Sequence, residues 1–208
     1  GLYRAAGKPR VGGGNAVAKK LWVRALLCLL CITAGMAMGA LSKYCDVAGS
    51  EFLYTVGLLT SGLAVWAILC AWIALISSSP VWAGIHVFLF LAGMLVAYYL
   101  VSACYVGYLY PRAIAFWCVM CAVSLGIGWL EWHAQNSGRL GSVMRLATVV
   151  GIPLLILIEF IAEPLFLPPI VNGVFYGLLL VYLRRRREVE LGIFVLWKEI
   201  FPARNRGK

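Results

Sequence analysis

Charge is what this sequence has least of. Of its 208 residues 12% are charged, eight of them acidic, and histidine occurs twice. Soluble domains carry about 25% charged and about 45–50% apolar residues. A chain that is 63% hydrophobic, with a mean hydropathy of +0.91, therefore lacks the polar surface of a soluble fold and of a disordered chain. Seven cysteines are too few at this length for a disulfide-rich secreted domain. Chemical signatures are missing too. The glycines of VGGGN (11–15) lack the GKS or GKT element of a phosphate loop, there is no GxSxG elbow, and EWH at 131–133 is not HExxH. No resident cofactor is expected.

Long apolar runs are what the sequence does have. A helix needs about 20 apolar residues to cross a bilayer, because only internal hydrogen bonds satisfy its backbone in lipid. Runs of that kind lie at about 21–41, 53–76, 81–104, 109–130, 144–163 and 167–183. The expected fold is all-α, a bundle of six transmembrane helices over 21–183, with a basic flexible tail at 1–20 and a basic cytoplasmic tail at 184–208. Leu21–Leu41 is longer than the ~7–15-residue core of a signal peptide, so this run is expected to be retained. In EVELGIFVLWKEIF (188–201) charges interrupt apolar residues at nearly helical spacing. The segment reads either as an interfacial helix with Phe194, Trp197 and Phe201 toward lipid, or as a docking surface for a cytoplasmic partner.

The 18 basic residues are distributed asymmetrically. Lys19, Lys20 and Arg24 open the first run, Arg139 and Arg145 share one connector, and Arg184 to Arg187 follow the last run. Basic side chains collect on the cytoplasmic side of a membrane. Both termini are accordingly expected inside, in a cell inner (plasma) membrane, leaving Lys43 and Arg112 outside. No aromatic-interleaved basic groove accompanies the arginine run, so nucleic acid is not an expected partner, whereas anionic membrane lipid is.

Ionisable groups inside hydrocarbon usually face an interior or a cavity. Glu159, after LLILI, is the outstanding one, with Glu163 one turn further on the same face. Arg112, Asn172 and Tyr98, Tyr99 and Tyr105 are expected at similar depth. These residues suggest an outward-opening polar pocket for a small polar solute: Glu159 as cation or proton acceptor, Arg112 as its counter-charge or an anion anchor, Asn172 as a hydrogen-bonder, and the tyrosines as walls. The alternatives are a purely structural Glu159–Arg112 pair with an ordinary interfacial tyrosine belt, or a protonated, lipid-facing Glu159. His86, near the inner side, reads as a helix–helix hydrogen-bonder. The pairs Cys28/Cys31 and Cys118/Cys121 have zinc-site spacing but lie in apolar helices, where cysteine acts as a small hydrophobe. Cys45 and Cys104 are expected on the outer side, where a disulfide between them is possible. The GxxxG pairs Gly35/Gly39 and Gly173/Gly177 suit close helix packing or the docking of a second subunit.

In overall plan the chain resembles the substrate-capture subunits of energy-coupling-factor importers: about 200 residues, six spans, both ends inside, a small-residue face at Gly35 and Gly39 on the first span, and a pocket toward the outside. That resemblance implies a transmembrane coupling subunit and ATPases as partners, docking on the first span. Two further classes remain open: a membrane scaffold or assembly subunit, and an intramembrane enzyme acting on lipid or peptide.

Overall fold

A computed structural model describes residues 13–136, 138–162 and 167–186. Among these the chain is all-helical. Seven α-helices follow one another: α1 (Gly13–Val47), α2 (Glu51–Ser61), α3 (Leu63–Ile76), α4 (Pro80–Tyr105), α5 (Pro111–Trp132), α6 (Arg139–Ala162) and α7 (Leu167–Arg186), with a single 3₁₀ turn at His133–Gln135. The α1, α4, α5, α6 and α7 helices are each long and apolar enough to cross a membrane, and α2 and α3 pass the same test together as a pair bent by 49°. The chain is thus a multi-pass membrane protein by helix length and composition. Helix α1 begins at Gly13, so 13–20, expected as flexible tail, is helical. Glu163 and the amphipathic segment 188–201 lie outside the described residues.

Local chemistry sets the helix starts. Ser50 and Ser79 accept hydrogen bonds from the backbone N–H of Leu53 and Trp82, capping α2 and α4. Pro80 and Pro111 occupy the first turns of α4 and α5, where a missing N–H costs nothing. Pro153 is different, because it lies inside α6 and deprives the Val149 carbonyl of its helical donor. The Tyr176 hydroxyl of α7 fills that vacancy at 2.8 Å. Tyr176→Phe should lower unfolding stability by about 1 kcal/mol, within the range of interhelical hydrogen bonds in membranes. Denaturant titration in mild detergent measures it.

Glycine governs how closely the helices meet. Helices α1 and α4 run parallel, and Gly35, Gly39 and Gly93 let their backbones touch. A Cβ on Gly35 would strike the Phe90 carbonyl, one on Gly39 the Met94 carbonyl, and one on Gly93 would lie 2.5 Å from the Ile32 oxygen. The same device joins α4 to α5, with Gly84 against Leu125 and Gly128 against Ala83. The GxxxG face of α1 therefore packs internally. Gly173 and Gly177 on α7 meet nothing within 4 Å, so their shared spacing serves no contact among the described residues.

At the opposite end of the bundle from the α1–α2 and α4–α5 connectors, polar groups tie the helix ends. Arg145 donates to the Ala134 and Asn136 carbonyls and to Ser142, clamping the α5–α6 connector, while Thr148 donates to Glu131 at 2.7 Å. Ser77 and His86 Nδ1 are 2.9 Å apart, and the Trp132 indole donates to the Ser77 carbonyl. His86 thus does what its position suggested, joining α4 to the end of α3.

Candidate functional site

The run at 53–76 is continuous in hydropathy, yet its helix breaks at Gly62. That residue is extended (φ −64°, ψ 141°) and caps both flanking helices. A break inside an apolar layer must have its freed polar groups answered by protein. The Trp66 indole donates to the Thr60 carbonyl at 2.7 Å, and Glu159 Oε1 accepts the Ala64 N–H at 2.8 Å. A Cβ at position 62 would lie 3.1 Å from both carboxylate oxygens, so glycine is what allows α6 to bring its acid so close.

Glu159 is accordingly met by the N-terminus of α3, where the helix dipole favours negative charge. Arg112 is exposed at the start of α5, and the ion pair found among the described residues joins Lys43 to Asp46 at 4.0 Å. The counter-charge expected at Arg112 is supplied by backbone instead. A small cavity of about 140 Å³ adjoins Glu159, Ser61 and Gly62. Asn172 is buried, with 1% of its surface exposed, and its Oδ1 lacks a hydrogen-bond partner. Tyr105 is exposed and stacks edge-on with Tyr44. Among the described residues, those expected to share one polar pocket are thus divided among separate places, and Tyr98 and Tyr99 alone of them line the main cavity.

That cavity is about 700 Å³ and runs between α1, α3, α4 and α5, within the ~300–1,000 Å³ of small-molecule sites. Its walls are apolar and aromatic: Trp66 and Ala67 from α3, Leu91 and Met94 from α4, Trp117 and Met120 from α5. Trp66 and Trp117 meet edge to face, centroids 5.7 Å apart. Tyr108 and Tyr110 of the α4–α5 connector rim one end, near Lys43, Tyr98 and Ser102.

The charged group lining the cavity, Lys43, lies at that rim. Lys43 lies 5.2 Å from the centroid of the Tyr98 ring, and the Tyr98 hydroxyl is 3.5 Å from Asp46 Oδ2. Ser42, also lining the cavity, is completely buried, and its hydroxyl has no hydrogen-bond partner. Buried hydroxyls are nearly always bonded, so this one is an exception, enclosed by the atoms packed around it. Sequence reasoning treated Lys43 only as a topology signal and passed over Ser42, Asp46, Trp66 and Trp117. The signal available was SK followed by D at the end of an apolar run, and it acquires meaning only from the register of α1 against α4.

The cysteines are free thiols. Cys45 is buried, Cys104 is exposed, and the disulfide considered between them is not formed. Cys121 lines the cavity and donates weakly to the Phe88 carbonyl at 3.8 Å. Among the described residues, no group of three His, Cys, Asp or Glu side chains is placed to hold a metal ion. No family model, curated protein or solved structure matches the chain.

Proposed function

We propose that this chain is an integral membrane solute-binding or transport protein whose site is the cavity between α1, α3, α4 and α5. It crosses the membrane six times, α2 and α3 forming one broken span, with both termini in the cytoplasm and the tyrosine rim facing out. One observation carries the reading: a cavity of about 700 Å³ whose apolar and aromatic walls end in a rim holding Lys43 and Tyr98. The basic residues Arg24, Arg139, Arg145 and Arg184, at the end away from that rim, support the orientation. If a coupling subunit and ATPases assemble with it, as the resemblance to substrate-capture subunits implies, they meet a face other than Gly35 and Gly39, which α4 covers.

The test is to purify the protein in mild detergent and quantify co-purifying small molecules by mass spectrometry. A defined ligand is expected at near one per protein. Trp117→Ala removes an aromatic wall and should cut its retention at least ten-fold, in line with the ~1–3 kcal/mol lost with a buried side chain. Arg112→Ala, outside the cavity, should leave retention unchanged. Folded protein that carries and binds no small molecule would overturn the proposal.

A further inference from the structure

The shape of the cavity, its side opening and the charges at its rim together describe a ligand. The cavity follows α4 from Val87 to Ser102, ~22 Å of helix at 1.5 Å per residue. Its walls make it a long apolar slot suited to hydrocarbon. Met120 and Ile127, on its α5 wall, are 40% and 50% exposed, so the slot is open sideways as well as at its rim. Apolar residues lining a lateral opening offer a route for a molecule already dissolved in the bilayer. A sugar or amino acid would find most of its polar groups unanswered by these walls.

The rim carries both signs of charge. Lys43 and Asp46 are 4.0 Å apart, at the outer limit of an ion pair, and the Tyr98 hydroxyl is a long 3.5 Å from Asp46. An anionic head alone would satisfy Lys43 but set a like charge beside Asp46. A head containing phosphate and ammonium answers both: phosphate toward Lys43, ammonium toward Asp46 and the tyrosine faces, which attract cations.

Resting on the binding reading above, we infer that the ligand is a zwitterionic amphiphile. Its head sits at Lys43, Asp46 and Tyr98, and its hydrocarbon runs along Leu91 and Trp117 toward Ile127.

The experiment uses the full chain in phosphatidylcholine vesicles with a low mole fraction of a monoacyl glycerophosphoethanolamine bearing a photoreactive diazirine near the end of an 18-carbon chain. Adducts located by mass spectrometry should fall deep in the slot, on Val87, Leu91 or Ile127, and be displaced by the unlabelled compound. Met120→Trp, at an exposed wall position, should block deep labelling while leaving the unfolding midpoint near that of the parent. Lys43→Gln and Asp46→Asn should each reduce labelling about ten-fold, the loss expected for one charge-assisted hydrogen bond. Equal labelling by a monoacyl phosphate with no effect of Asp46→Asn would overturn the zwitterionic head. Absence of slot adducts from protein that still co-purifies with another solute would refute the amphiphile alone. Absence of both adducts and any bound solute would remove the binding site as well.

Discussion

Gly39→Leu should yield no folded, monodisperse protein in mild detergent, and Gly39→Ala should yield it only with a sharply lowered unfolding midpoint. A Cβ at this position would collide with the Met94 carbonyl and lie 2.8 and 2.9 Å from two further Met94 backbone atoms. Overpacking usually costs about 1–3 kcal/mol when side chains can yield. Here the obstacle is main chain on a helix that reciprocates through Gly93 against Ile32, so relief requires the two helices to separate. Against a total stability of about 5–15 kcal/mol, that is sufficient to prevent folding. Gly177→Leu provides the control, since nothing lies within 4 Å of Gly177, and its elution profile and midpoint should match the parent. Failure of both variants alike, or survival of both, would contradict the assigned packing.

Glu159→Ala is the second large effect, expected to destabilise by about 2–3 kcal/mol. It leaves the N–H of fully buried Ala64 without a partner, and an unmade buried hydrogen bond costs about 1–3 kcal/mol. It also removes the negative charge at the start of α3, worth about 0.3–1 kcal/mol. Glu159→Gln keeps an oxygen acceptor and loses only the charge, so it should fall between the parent and alanine. Arg112→Ala should be neutral. This ordering separates capping of a broken helix from an ion pair between α5 and α6, which would make Arg112→Ala as harmful as Glu159→Ala. Unfolding midpoints of the four proteins, measured under one detergent condition, decide it.

Much of the architecture is legible in hydropathy because lipid removes alternatives. Runs read at 81–104, 109–130 and 167–183 correspond to Pro80–Tyr105, Pro111–Trp132 and Leu167–Arg186, since an apolar stretch of this length has few options besides a helix. The break at Gly62 is invisible to that logic, because one glycine among apolar residues changes mean hydropathy very little. The carboxylate that accepts the Ala64 N–H beyond the break lies 95 residues further along the chain. Sequence pairs charges with charges, whereas the partner found at Glu159 is backbone. The two GxxxG pairs look the same on paper, and only the helix facing each one distinguishes them. The cavity belongs to tertiary register: Lys43 reaches Tyr98 because Gly39 and Met94, one turn before each, are in contact.

The parallel seating of α1 on α4 also bears on biosynthesis. The partner of Gly39 is Met94, which leaves the ribosome about 3–11 s later at 5–20 residues per second. Throughout that interval the first helix must wait in the bilayer with its glycine groove bare. Chains halted before the fourth helix would carry this groove without its partner, and should be extracted from the bilayer by detergent more readily than chains that extend past the end of α4.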